Sequence, residues 1–178
     1  MPDPETIGIP YAATPDQPVS AWSADIYAAI KPWADEHQGK WMWWEPGYLV
    51  LTVDQFGDRE IEPVVLHTWD EELTVELRLW DTHFPDWTLP PTDDPAVIAS
   101  QGIALADDWL AGRFALAVYF ADDRWCGSKI IEINEDQAEK LADIDWIKSF
   151  DPARVELRWA DKSRLTHFTI SNGQLIPQ

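Results

Sequence analysis

Two stretches of the chain carry hydrophobic residues at every third or fourth position, the pattern of a helix with one buried face. The first follows Ser20, a residue type that favours helix N-termini, and predicts a helix over about 20–37. Pro32 inside this stretch predicts a kink or a short restart. The second opens with Asp94 as its N-terminal cap and predicts a helix over about 95–111.

Elsewhere the hydrophobic period changes to two residues, which is typical of strands with one buried face. The segments with this alternation are 48–54, 63–69, 73–80, 129–133, 154–159, 164–170 and 174–177, and the dense apolar run 114–121 predicts a central strand. Short turns join most neighbours, and a capping pattern at Asn134 and Gln137 adds a short third helix. We therefore expect an α+β fold with a single, mainly antiparallel sheet of about six to seven strands. Its two main helices should pack on one face.

The alternation also separates buried positions from exposed ones. Within 73–80, Thr74, Glu76, Arg78 and Trp80 share the face opposite the apolar residues. The strand residues predicted to be buried are Leu73, Val75, Leu77, Leu79, Phe114, Leu116, Val118, Phe120, Val155, Leu157 and Trp159. The helix residues expected to pack on them are Trp22, Ile26, Ile30 and Trp109.

Proline positions define the organisation along the chain. Five prolines in residues 1–18 exclude a helix and predict an extended, Pro-rich N-terminal arm. The segment 83–94 holds three more prolines and predicts a loop. We assign residues 19–178 to a single α+β domain, a length that suits one hydrophobic core.

Charge is the most unusual bulk property of the sequence. The chain has 13 Lys and Arg against 32 Asp and Glu, a formal net charge of −19. Residues 1–112 hold 4 basic and 21 acidic residues, which leaves 113–178 nearly balanced. An acidic surface serves solubility or adaptation to salt, and it also suits docking of a cationic partner. The sequence leaves these alternatives open.

The same numbers argue against several functions. Phosphate backbones and anionic membranes would be repelled, so we expect neither a nucleic-acid nor a membrane partner. The N-terminus lacks the basic and apolar regions of a signal peptide, and a single cysteine, Cys126, excludes an internal disulfide. We expect a cytoplasmic protein.

Twelve tryptophans are the second unusual property. Those at helical or strand core spacing are expected to be buried. Five are not explained by that spacing: Trp41, Trp43, Trp44, Trp80 and Trp87. Exposed tryptophans anchor protein interfaces and stack on sugars or cations, so these five are candidate binding residues unless loops and helices cover them.

Polar candidates cluster in the same part of the sequence. The predicted turn carries Asp70, Glu71 and Glu72, and the following polar positions are Glu76, Arg78, Asp81 and His83. Glu76 and Arg78 would form a cross-strand charge ladder with Arg154, Glu156 and Arg158 if both strands shared one exposed sheet face. Because no metal-ligand spacing and no Gly-rich phosphate loop occurs, we expect no metal, no cofactor and no catalytic residues.

These observations favour a non-enzymatic, acidic protein-interaction module that binds a basic protein, as immunity proteins and inhibitors of cationic toxins do. The alternative is a carbohydrate-binding or glycoside-processing protein that uses exposed tryptophans and paired carboxylates. A third possibility is a domain detached from a larger system. The oligomeric state does not follow from the sequence.

Overall fold

The computed structural model of the chain describes residues 19–43, 45, 47–86, 88–132, 141–171 and 174–178. Some predictions lie outside these described residues. They concern the N-terminal arm 1–18, the start of the third helix, the turn at 172–173, and the candidates Trp44 and Trp87.

Both main helices occur where the hydrophobic period predicts them. The first, α1, spans Ala21–Glu36, and the second, α2, spans Pro95–Leu110. Ser20 caps α1 because its Oγ accepts a hydrogen bond from the Ser23 backbone N–H at 3.0 Å. The helix continues through Pro32, so the alternative of a restart is wrong.

The first sheet consists of five antiparallel strands in the order β1–β2–β3–β4–β5. These strands are β1 (Lys40–Trp43), β2 (Leu49–Phe56), β3 (Arg59–Trp69), β4 (Glu72–Leu77) and β5 (Asp81–Phe84). Each strand pairs with the one before it in the chain, so the sheet is a meander joined by short turns.

The second sheet also has five antiparallel strands, in the order β10–β9–β8–β6–β7. They are β6 (Phe114–Ala121), β7 (Arg124–Glu132), β8 (Arg154–Arg158), β9 (Thr166–Ser171) and β10 (Gln174–Pro177). All eight residues of β6 are buried, which explains why this strand is a continuous apolar run.

The described residues thus confirm the α+β class and the antiparallel pairing, but the prediction of a single sheet of six to seven strands is wrong. The chain divides into two compact units, Met1–Asp107 with the first sheet and Asp108–Gln178 with the second. Alternating hydrophobic residues determine which side chains share a face of a strand. They do not determine which other strand pairs with it. The chain thus has two compact units, and the assignment of 19–178 to a single domain stays a prediction.

Two strands were not predicted, and one ends early. β1 lies in the Trp-rich segment, and β5 runs into the segment predicted to be a loop. β4 ends at Leu77 because Arg78 adopts a left-handed backbone conformation, with φ of 61°. Leu79 therefore lies in a turn, and it is half-buried rather than part of the core.

In the first unit, both helices pack on one face of the first sheet. α1 contacts β2 and β3, and Gly102 of α2 lies so close to Leu73 that an added Cβ would come 2.7 Å from Leu73 Cδ2. Thr68 joins α1 to the sheet. Its buried Oγ1 accepts hydrogen bonds from Ser23 Oγ at 2.8 Å and from the Leu49 N–H at 2.9 Å.

The second unit has its own apolar core. Its buried residues are Ala115, Ala117, Tyr119, Ile131, Leu141, Ile147, Val155, Leu157 and Trp159. Tyr119 Oη donates to the Leu141 carbonyl at 3.1 Å, which satisfies the phenol inside this core. Among the strand residues predicted to be buried in either unit, all except Leu79 are buried. Trp22 is half-buried.

Candidate functional site

The face of the first sheet opposite the helices carries polar side chains from β3, β4 and β5. On β4 these are Glu72, Thr74 and Glu76, which alternate with the core residues of that strand. Opposite them in register lie His83 and Asp81 of β5. Glu76, Asp81 and His83 are three of the candidate binding residues predicted from the sequence, and the register brings them together on this face.

Histidine–carboxylate contacts connect the middle of this face. His67 Nε2 lies 2.8 Å from Glu76 Oε1. His83 Nδ1 lies 2.6 Å from Glu72 Oε1, and its Nε2 lies 3.3 Å from Asp81 Oδ2. Each of these carboxylates already has a polar neighbour, so this network stabilises the sheet face rather than presenting vacant ligands.

An aromatic pair stands at one end of the same face, beside the β3–β4 turn. Trp69 is 41% exposed and stacks on Tyr48, with ring centroids 4.8 Å apart and planes inclined at 28°. Tyr48 Oη donates to Asp70 Oδ1 at 2.5 Å, which fixes the pair beside the turn. Trp69 also faces Glu72 across the two strands, and Glu71 is exposed at the turn. We call these five residues the acidic platform.

The electrostatics of the platform are negative. The hydrogen bond to Asp70 raises the pKa of Tyr48 above its ordinary value, and burial and the charges of Asp70 and Glu45 add to the shift. The first unit has 4 basic residues against 20 acidic ones. Its four cations contact residues outside the platform: Lys31 with Asp35, Lys40 with Asp54, Arg78 with Glu62, and Arg59 with Phe56.

The predicted anchor Trp80 lies at the other end of β4. Its carbonyl accepts from the Leu77 N–H at 2.7 Å in the β4–β5 turn, and the ring is half-buried. Arg78 in the same turn donates to Glu62 Oε2 at 2.9 Å. Since β4 has six residues, the two turns are about 17 Å apart at ~3.3 Å per residue. Trp80 and Asp70 therefore lie at opposite ends of β4 and do not belong to one site.

Trp41 and Trp43 line a separate groove between α1 and the edge strand β1. The groove has a volume of about 290 Å³. Its lining residues are Val19, Ala24, Tyr27, Trp41, Met42, Trp43 and Leu49. Tyr27 and Trp41 meet edge to face at 4.8 Å. Trp41 Nε1 is buried, and within the described part of the chain it has no hydrogen-bond partner.

Comparison with protein-family models, curated protein sequences and solved structures finds no match for this chain. In the described ranges, no three His, Cys, Asp or Glu side chains are grouped to hold a metal ion, and no helix is long and apolar enough to cross a membrane. Burial raises the pKa of the Cys126 thiol, which disfavours a reactive thiolate.

The predicted charge ladder between 73–80 and 154–159 is wrong, because the two strands lie in different sheets. On β8, the buried Glu156 instead accepts from Arg154 and from Arg158 Nε at 3.0 Å, on its own strand. Arg154 also lies over the Phe120 ring at 4.1 Å. Local ion pairs replace the expected ladder.

Sequence reasoning missed Trp69 and Tyr48. A signal was present, since Trp69 directly precedes three acidic residues and falls on the same strand face as His67, opposite the core. The stacking on Tyr48 depends on the β2–β3 register, in which Val50 faces His67 and the aromatic pair follows two positions further. The sequence alone does not specify that register.

Proposed function

We propose that the protein is a non-enzymatic interaction module that binds a basic protein partner, in the manner of immunity proteins and inhibitors. The observation that carries the proposal is the acidic platform, an exposed tryptophan held by Tyr48 and surrounded by Asp70, Glu71 and Glu72. Interface hot spots combine such a rigid aromatic anchor with charged neighbours.

The charge distribution supports a partner that carries positive charge. The first unit carries a large excess of acids, and its own cations contact residues outside the platform. A cationic surface approaching this face gains attraction at long range, which raises the association rate. The same field repels polyanions and thus discriminates between partners.

The test measures association with a hexalysine peptide, blocked at both ends, by surface plasmon resonance across a salt series. Because the Debye length falls from about 10 Å at 0.1 M to about 3 Å at 1 M salt, the association rate should fall steeply as salt is added. The variant D70N/E71Q/E72Q should slow association further. Asn at position 70 suits the left-handed backbone there, with φ of 47°.

A matched control removes three exposed acids of the first unit outside the platform, as D25N/E36Q/D93N. It changes net charge by the same amount, so it should slow association less than the platform variant does. Equal slowing by the two variants would show that only net charge matters. An association rate that does not change with salt would refute the proposal.

A second candidate function is carbohydrate binding at the groove lined by Tyr27, Trp41 and Trp43. Aromatic rings that line a groove of this size favour stacking on a sugar face, and the buried Trp41 N–H would donate to a sugar hydroxyl. Among the described lining residues none is acidic, so the groove is proposed to bind a sugar rather than to hydrolyse it.

Titration with a panel of neutral oligosaccharides tests this candidate by calorimetry. Binding should be insensitive to salt and should be lost in Trp43→Ala, while Trp125→Ala in the other unit serves as the control. Salt-sensitive binding, or binding retained in Trp43→Ala, would exclude the groove as a sugar site.

A further inference from the structure

Strand β1 forms one edge of the first sheet, and the hydrogen bonds of β2 show which of its backbone groups face outward. Successive residues of a strand direct their N–H and C=O groups to opposite sides. The Leu49 N–H donates to Thr68 Oγ1 of β3, so the next residue, Val50, faces β1. Val50 lies opposite Met42 in the antiparallel register, and Met42 therefore directs its N–H and C=O groups to β2.

The two neighbours of Met42, Trp41 and Trp43, consequently direct their backbone groups to the outer edge. No strand among the described residues pairs with this edge. Both tryptophan side chains lie on the side of the sheet that carries α1, since Trp41 contacts Tyr27 of that helix edge to face at 4.8 Å. An antiparallel strand added here would hydrogen-bond to Trp41 and Trp43, and the side chains of the bonded residues would enter the groove beside α1.

The N-terminal arm contains a segment with the matching alternation. Ile7, Ile9 and Tyr11 occupy every second position and are separated by Gly8 and Pro10. Pro10 has no N–H, so in an added strand it must direct its backbone to solvent. Ile9 and Tyr11 then face β1, and in an antiparallel pair the same residues place their side chains in the groove. The position of the proline and the positions of the apolar residues thus select one arrangement.

The start of α1 brings the arm to the groove. Val19 follows the arm and itself lines the groove, and the Ser20 N–H donates to the Gly47 carbonyl at 2.9 Å, just beyond β1. Residues 12–18 span up to about 23 Å at ~3.3 Å each, whereas the four residues of β1 span about 13 Å. The connection is therefore long enough for a strand that runs antiparallel to β1.

We propose that residues 6–11 form a sixth strand of the first sheet, antiparallel to β1, with Ile7, Ile9 and Tyr11 in the groove. The added strand pairs the backbone groups of an edge that otherwise favours association with other chains. This inference does not depend on the acidic platform. The arm occupies the groove that the second candidate function assigns to a sugar, so the two compete for it.

Amide hydrogen exchange of the full chain, followed by NMR, tests the added strand residue by residue. The Trp41 and Trp43 amides should exchange slowly, because carbonyls of the arm accept hydrogen bonds from both. In the double variant I7S/I9S these two amides should exchange about tenfold faster. The Met42 amide faces β2 and should keep its rate, which shows that the sheet is intact.

A matched control places two serines at the alternate positions of the arm, as T6S/G8S. The backbone of these residues faces solvent and their side chains lie away from the groove, so the protection of both tryptophan amides should remain. A second readout is direct. Nuclear Overhauser contacts should join the isoleucine methyl groups of the arm to the rings of Tyr27 and Trp41 in the full chain.

Three results would overturn the proposal. Fast exchange of the Trp41 and Trp43 amides in the full chain, or equal protection in I7S/I9S, would show that the arm does not pair with β1. Protection that increases with protein concentration would assign the edge to a second copy of the chain. Protection that appears only when a neutral oligosaccharide is added would assign the groove to a sugar.

Discussion

Thr68→Val tests the hydrogen bonds that join α1 to the first sheet. Valine has nearly the same shape as threonine but has no hydroxyl. The change removes the acceptor of two buried donors, Ser23 Oγ–H and the Leu49 backbone N–H. Because Thr68 is 1% exposed and Ser23 is fully buried, water does not replace the lost oxygen.

The magnitude follows from these two donors. A buried donor left without an acceptor costs about 1–3 kcal/mol. The Leu49 N–H belongs to the backbone and has no other orientation, so it sets a minimum loss of about 1 kcal/mol. Ser23 can turn its hydroxyl towards Ser20 Oγ, 2.8 Å away, and this limits its share. We expect Thr68→Val to lower the free energy of unfolding by about 2–3 kcal/mol.

Urea denaturation followed by circular dichroism measures this loss. If the dependence of the free energy of unfolding on urea concentration is unchanged, the unfolded state is the same in the variant. Thr68→Ser is the control, because it keeps the oxygen and loses one methyl group, worth about 0.8 kcal/mol. Ser23→Ala combined with Thr68→Val should cost less than the sum of the single changes, since both act on one bond. A loss below about 0.5 kcal/mol for Thr68→Val, or a larger loss for Thr68→Ser, would refute the reasoning.

Three further predictions concern packing and titration. Leu77→Ala should cost about 2–5 kcal/mol in urea melts because Leu77 is fully buried, and a loss under about 0.5 kcal/mol would contradict its place in the core. Gly102→Ala should lower stability by about 1 kcal/mol, since crowding of Leu73 outweighs the gain in helix propensity, and a higher melting temperature would contradict this close approach. Burial, with a smaller effect of Asp143, raises the pKa of Tyr119 above its ordinary value, so the folded state keeps a proton that the unfolded state releases. Stability should therefore fall as pH rises above about 10, and Tyr119→Phe should flatten that fall in urea melts at increasing pH; an unchanged slope would contradict it.

Local patterns predicted the elements of this fold well because they depend on neighbours in the chain. Ser20 and Asp94 mark the starts of the two helices, and the hairpin turn after Trp69 lies where the acidic residues predict it. Pairing over longer distances was not predictable in this way. The alternation of 154–159 is compatible with either sheet, and only the partner strand decides between them.

The part of the candidate site that depends on neighbours in the chain was predicted from the sequence, and the rest was not. Asp70, Glu71 and Glu72 come from one turn, so the sequence grouped them correctly. Trp80 was grouped with them by assuming that the strand reaches residue 80, whereas the left-handed conformation of Arg78 ends it at Leu77. Whether a ring such as Trp69 is exposed depends on the residues that pack over it, and a local sequence pattern does not identify those residues.

The two sheets also differ in how their strands are reached along the chain, and this has a kinetic consequence. The meander of the first sheet contains only pairings between consecutive strands, so each hairpin closes a short loop. In the second sheet, β6 pairs with β8 only after β7 and the long connection that follows it have been positioned. Low contact order favours rapid folding, and the N-terminal part of a chain leaves the ribosome first. The first sheet should therefore form before the second, both in refolding and during synthesis, and the acidic platform with it.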